Sequence, residues 1–270
     1  MGFEVQTQTI HFNSSCTFTF TNPIQQYVAG ISGFCISYGS GNYFGVQTMS
    51  VGLNVIGMSG NMITVKPILL MWDGIGGAQG GDSCVTVTIV AYTGATNNPN
   101  LLLITDTQNN PIALPSTPLI TIPVLNGFSL SYADNVAHYV NYLQAGIGLI
   151  QNGNNISVTG HSCMFDITSH YANPATVNGG LIVNCDPSLT TLTAQSYTGI
   201  SNGASFNFPC QAYFLTGFLY LFPDNQISEI VASVWSGESP INCTSTVWYG
   251  SSSNGQCYTG GTVDFVAINF

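Results

Sequence analysis

ISGFCISYG, residues 31–39, returns as LNGFSLSYA at 125–133 and as LTGFLYLFP at 215–223. The three Gly-Phe pairs, Gly33-Phe34, Gly127-Phe128 and Gly217-Phe218, stand 94 and 90 residues apart. Five residues beyond each glycine comes a ring (Tyr38, Tyr132, Phe222), and thirteen beyond it a branched aliphatic (Val46, Val140, Ile230). In the first two copies VGLNVI at 51–56 answers AGIGLI at 145–150, NMITV at 61–65 answers NNISV at 154–158, and LMWD at 70–73 answers CMFD at 163–166. Each copy closes on a glycine pair before an apolar run, in GGDSCVTVTIVA, GGLIVNC and GGTVDFVAI. The third copy lacks the aspartate found at 73 and 166. Self-similarity of this kind is the mark of an internal repeat.

A period of 90 to 94 residues is too long for a solenoid turn or a propeller blade and matches a small β-sandwich. Apolar residues alternate with polar ones in F18-T-F20, V85-T-V87-T-I89, I36-S-Y38 and F206-N-F208, the pattern of strands with one buried face. The only stretch with helical character, around Val136 to Leu149, contains GIG, which favours a strand or bent loop. The expected fold is all-β, with three tandem β-sandwich modules, jelly-roll or Ig-like, at 1–105, 106–195 and 196–270. Within each phrase Gly supplies a close approach or a positive φ, and Phe anchors the core.

Charge is the second constraint. The 270 residues hold one lysine (Lys66), no arginine, eleven carboxylates and four histidines, a net charge of −10. Only 4% of residues are charged, against roughly 25% in an ordinary soluble domain. Nucleic-acid binding is excluded, because it requires Lys and Arg to displace counterions from phosphates. An anionic membrane surface is excluded on the same ground. The apolar run at 212–222 is too short to insert in a bilayer. So few ionisable groups also leave little folding energy that depends on pH.

Eight cysteines without a C-x-x-C spacing point to disulfides in an oxidising compartment rather than to zinc. Proximity suggests Cys16 with Cys35, Cys163 with Cys185 and Cys243 with Cys257, leaving Cys84 and Cys210 over. Sequons stand at Asn13, Asn155 and Asn242. The start MGFE has neither a basic region nor an apolar run, so a secreted form is expected to be trimmed already or exported by another route. The expected location is secreted, or the surface of a cell or particle.

Titratable groups with tuned pKa values are what catalysis needs, and this chain offers few. GHSCM at 160–164 departs from a nucleophile elbow at its last position, where glycine is required. No enzyme and no cofactor is expected. Two groups contain metal-ligating types: Asp73 and Asp82 at the ends of DGIGGAQGGD, whose carboxylates and backbone carbonyls suit Ca²⁺, and His161, Asp166 and His170 in GHSCMFDITSH, with His138 upstream. Trp248, Tyr249 and Asn254 combine stacking faces with an amide, the makeup of a carbohydrate platform. The amino-terminal FEVQTQTIHF, with Phe3, Val5, Ile10 and Phe12, alternates and carries one charge before its terminal His11-Phe12, as a strand added to a neighbour's sheet would. Lysine gatekeepers that protect sheet edges are nearly absent. The expected function is therefore a non-enzymatic structural subunit assembled with itself through sheet edges. A multivalent glycan-binding protein is the alternative.

Overall fold

The computed structural model describes residues 2–39, 41–78, 80–107, 110–223, 225–236, 241–251 and 253–270. Among these residues there is no helix. The strands, in chain order, are β1 (Gly2–His11), β2 (Cys16–Thr19), β3 (Ile24–Ser37), β4 (Thr48–Ser59), β5 (Met62–Trp72), β6 (Cys84–Thr93), β7 (Leu101–Ile104), β8 (Ile112–Ala113), β9 (Ile120–Ser131), β10 (Val140–Asn152), β11 (Asn155–Asp166), β12 (Ala175–Asn184), β13 (Thr193–Ser201), β14 (Ser205–Phe206), β15 (Ala212–Leu221), β16 (Gln226–Ser236), β17 (Ile241–Gly250), β18 (Gln256–Tyr258) and β19 (Thr262–Asn269).

These strands make three antiparallel sheets. The first has the order β1-β6-β3-β16-β17-β14, with β18 also on β17; the second is β2-β5-β4-β9-β12-β7; the third is β13-β19-β15-β10-β11-β8. Each sheet joins two stretches of chain. β4 pairs with β9 in the second sheet, β10 with β15 in the third, and β16 returns to β3 in the first. Segments 1–105, 106–195 and 196–270 therefore share sheets with one another, and no segment closes a sheet of its own.

The strands that carry the Gly-Phe phrases, β3, β9 and β15, lie at the middle of the three sheets and pack on one another in pairs. Phe34, Phe128 and Phe218 meet there, with ring centroids 5.4, 5.3 and 5.0 Å apart. All three rings are buried. Each buried ring contributes about 1.5–3 kcal/mol of apolar burial, and each tilted ring pair about 0.5–1.5 kcal/mol more.

The glycine before each phenylalanine serves close approach, not turning. None of Gly33, Gly127 and Gly217 has a positive φ. Each sits at the seam where the sheet's two contributions join: Gly33 opposite Ser233, Gly127 opposite Gly52, Gly217 opposite Gly146. One residue earlier the strand register slips, so Ser32, Asn126 and Thr216 are bulge residues. Such a bulge bends the strand and raises its twist. The polar-Gly-Phe triplet thus encodes a bulge, a seam and a core anchor in three successive residues.

Phe18, Phe20, Val85, Val87 and Ile89 are buried as the alternation predicts, but Ser37 and Thr88 between apolar neighbours are buried too, and F206-N-F208 runs past the end of β14 with both rings half-buried. Val136 to Leu149 supplies most of β10. A second buried cluster, including Val28, Val124, Phe214 and Val266, draws on all three sheets. Between neighbouring strands hydroxyl pairs stand where other proteins put ion pairs: Thr7 with Thr88 at 2.8 Å, Thr9 with Thr86 at 2.9 Å, Thr17 with Thr64 at 2.9 Å.

Candidate functional site

The sheet edges differ greatly in length. β2 and β7 have four residues each, β18 three, and β8 and β14 two each, whereas β1 has ten and β13 nine. Short edges are a common protection against unwanted pairing. The two long ones lack it: among the described residues β1 pairs only with β6, and β13, mostly exposed, pairs only with β19. TAQSYTGIS of β13 contains no charge and no proline. The single acid of β1, Glu4, is engaged within the chain. Its carboxylate accepts from the amides of Thr21 (2.7 Å) and Asn22 (3.3 Å) and from the Thr93 hydroxyl (2.7 Å). Burial pushes its pKa up, but these hydrogen bonds prevail and hold it at about 2.

The side chains named for assembly face inward. Phe3 stacks on Phe270 at 4.4 Å and meets Tyr92 edge-on, Val5 packs on the second core, Ile10 is buried, and Phe12 packs on the main core. What β1 leaves open is its outer backbone edge. Gln6 donates to the Thr19 carbonyl and Gln8 accepts from Cys16 at 2.6 Å, so the same strand also covers β2.

Asp73 is an Asx-type cap. Its Oδ1 accepts from the amides of Ile75, Gly76 and Gly77, each at 2.8 Å, which keeps its pKa below the usual range despite burial. Asp82 is exposed; Gln79 in this loop lies outside the described residues. Asp166 caps its loop in the same way, Oδ1 accepting from the amides of Thr168 (2.9 Å) and His170 (3.0 Å) and from the Thr168 hydroxyl (2.6 Å). Against the opposing effect of burial, these bonds and that from His138 hold its pKa at about 2. The shared aspartate of LMWD and CMFD is thus a loop stop.

Around Asp166 the structure does assemble a polar cluster. His138 Nδ1 lies 2.9 Å from Asp166 Oδ2, while Nε2 lies 3.1 and 3.0 Å from the two oxygens of Asp134. His170 Nδ1 is 3.6 Å from Asp134 Oδ2. Tyr132, the ring of the second phrase, stacks on His138 at 3.9 Å. His161 is not a member; it lies exposed on the solvent face over Gly146, in the middle of β11. The sequence reading gave Asp134 no role, because its position next to His138 is made by the loop between β9 and β10. GHSCM forms no elbow; it runs within β11.

Trp248 and Tyr249 point to opposite sides of β17, so they do not form one platform. Trp248 is exposed opposite Glu229 and Cys257. Tyr249 donates to Gln256 Oε1 at 2.9 Å, and with Asn254, Asn225 and Gln256 it lines a shallow hollow of about 300 Å³. A larger cleft, about 790 Å³, lies over the seam of the second sheet. Gly52 and Gly127 are among its lining residues, with Asn54, Asn126, Asn178, Gln25, Gln26 and Tyr27. Asn126, the bulge residue, is buried, and its Oδ1 has no hydrogen-bond partner. These residues are spread from 25 to 178, so only the bulge and the seam, which no local pattern announces, bring them together.

The cysteines correct the proximity rule. Cys84 stands directly opposite Cys35, with His11 opposite Cys84 on the other side, while Cys16 sits on β2 in the second sheet. The Cys35 thiol hydrogen-bonds to Cys84, drawing the Cys84 pKa down to about 7 and pushing its own up. Cys257 lies opposite Trp248, five residues along β17 from Cys243. At ~3.3 Å per residue that offset is ~16 Å, far outside the ~4.4–6.8 Å between α-carbons that a disulfide spans. Cys163 lies on β11 of the third sheet; Cys185, buried after β12 of the second, donates to the Ser116 carbonyl at 3.4 Å. All eight are free thiols in this structure.

Compared with protein-family models, with curated proteins and with solved structures, the chain matches none of them.

Proposed function

We propose that this protein is a non-enzymatic structural subunit of a surface layer, filament or shell outside the cell, built by pairing of the open edges of β1 and β13 between copies. The observation that carries this reading is the contrast, among the described residues, between those two long edges, which carry neither lysine nor proline, and the short edges of the other strands. With Lys66 the sole basic residue besides histidine, contacts between copies rest on backbone pairing and apolar surface. The exposed sequons at Asn13 and Asn155 and the small number of ionisable groups fit an extracellular setting.

The repeat belongs to the same proposal. We infer that the chain is a triplicated six-strand unit whose halves are exchanged in a ring. β1, β3 and β6 share a sheet with the third unit, while β2, β4 and β5 join the second. β8, β10 and β11 likewise join the third. The matching strand orders support this reading. A sandwich module remains the element, with each copy lending one half to the next.

The test is microscopy and sedimentation of the purified chain beside a Ser196→Lys variant, which places an ammonium on the exposed β13 edge. Filaments, sheets or particles from the parent chain, lost in the variant with unchanged circular dichroism, are the expected result. A parent chain that sediments as a monomer at its highest soluble concentration refutes the proposal. The second reading, glycan binding, is favoured by the amide-lined cleft over Gly52 and Gly127. A glycan array without hits removes it.

A further inference from the structure

We propose that Asp134, His138 and His170 form a binding site for a divalent transition-metal ion of the Zn²⁺, Co²⁺ or Ni²⁺ class, with Asp166 as the outer carboxylate that orients His138. One donor atom from each of the three lies within 4.8 Å of the others. The arrangement is a two-imidazole, one-carboxylate set, which suits these ions and not Ca²⁺ or Mg²⁺, whose ligands are oxygens.

The ring of His138 carries the argument. Its side chain is only 10% exposed, held by the stacked Tyr132 ring and by Asp166. Both ring nitrogens face carboxylates, and an ionised carboxylate only accepts. Asp166 is fixed by the Thr168 and His170 amides and holds the His138 ring in place through Nδ1, which leaves Nε2 aimed at Asp134. No arginine exists in the chain, and its one lysine, Lys66, lies across from Asn54 on the second sheet. His170 aims Nδ1 at the same carboxylate. An ion seated between these three side chains would be held by all of them, and the carboxylate-to-histidine contact behind the ligand is the usual second layer of such sites.

The geometry allows closure. His138 is the fixed ligand, whereas the side chains of Asp134 and His170 are 37% and 46% exposed and free to draw in to the ~2.0–2.2 Å of metal bonds. Three protein donors leave a fourth position to water. Binding would tie the loop between β9 and β10 to the loop after β11.

The experiment is titration of the full chain with Zn²⁺ and Co²⁺, with Ca²⁺ as competitor, followed by calorimetry, thermal melts and cobalt absorption. One ion per chain is expected, with a raised melting temperature, no competition from Ca²⁺, and a cobalt spectrum without thiolate bands. His170→Ala, at an exposed site that leaves folding intact, should weaken binding at least tenfold, and Asp166→Asn about 10–100-fold. His161→Ala should leave it unchanged. Absence of stoichiometric binding, equal affinity in His170→Ala, or a thiolate-to-cobalt band that moves the ion to the cysteines would each overturn the proposal.

Discussion

Gly127 on β9 faces Gly52 on β4 so closely that a methyl group at 127 would lie 2.8 Å from the Val51 carbonyl oxygen and 2.9 Å from the Gly52 α-carbon. A methyl group at 52 meets nothing nearer than 3.7 Å. The pair faces itself, but only one member is compelled to be glycine. Gly127→Ala presses on backbone that cannot yield and should cost about 1–3 kcal/mol. Gly52→Ala removes the flexibility penalty of a strand glycine and should be neutral or stabilising by up to ~1 kcal/mol. Urea denaturation of the two variants decides it, and equal losses would refute the asymmetry.

The same seams make unfolding a single event. Because every sheet takes strands from two stretches of chain and the three phenylalanines share one contact, no third of the molecule can melt alone. Calorimetry should show one transition whose calorimetric and van't Hoff enthalpies agree. Phe128→Ala should lower stability by about 3–5 kcal/mol and shift that whole transition. Two or three separable transitions would instead indicate self-contained modules.

The strands were legible in the sequence because their alternation is local. Phe18-Thr-Phe20 and Val85-Thr-Val87-Thr-Ile89 announce a buried face without reference to anything distant. The phrases at 33, 127 and 217 mark the middle strands of the three sheets, yet they do not say that Gly127 meets Gly52. That choice is made by pairing between distant stretches of chain, which leaves no trace in spacing. The cysteines failed for the same reason: Cys35 and Cys84 are 49 positions apart and face each other, whereas Cys243 and Cys257, 14 apart, do not. At the polar cluster His138 and His170 stood out as scarce residues, but Asp134 became a partner only through the path of one loop.

Acid should act on the corner held by Glu4. Its folded pKa of about 2 lies below the 4.5 of an unperturbed glutamate. Between these values the unfolded chain binds the proton and the folded chain does not, so stability is present in full above ~4.5 and is lost as the pH falls through ~2. Glu4 is only half-buried, so solvent screening keeps the effect small. Thermal melts of the parent chain should fall between pH 5 and 2 by more than those of Glu4→Gln, which lacks the charge. Identical pH profiles would show that the Thr21, Asn22 and Thr93 contacts contribute nothing.

Oxidation should select one pair of cysteines. Directly opposed antiparallel residues have α-carbons ~4.5–5.5 Å apart, inside the range a disulfide spans, and Cys35 and Cys84 are so placed. With its pKa drawn down by the hydrogen bond from Cys35, Cys84 supplies the thiolate. Given diamide, which takes up two electrons and two protons, the Cys84 sulfur attacks the diamide-activated Cys35 sulfur, or the reverse, and closes the S–S bond with loss of two hydrogens from the protein. The rate should climb with pH, and at lower pH than for an ordinary cysteine, and then level off. Closure should stabilise the chain by about 2–4 kcal/mol, less any strain. Peptide mapping should find Cys35 joined to Cys84 as the first product, and Cys84→Ser should abolish it without impairing the fold. A first product joining Cys16 to Cys35, or no intrachain bond at all, would contradict the pairing that the strand register sets.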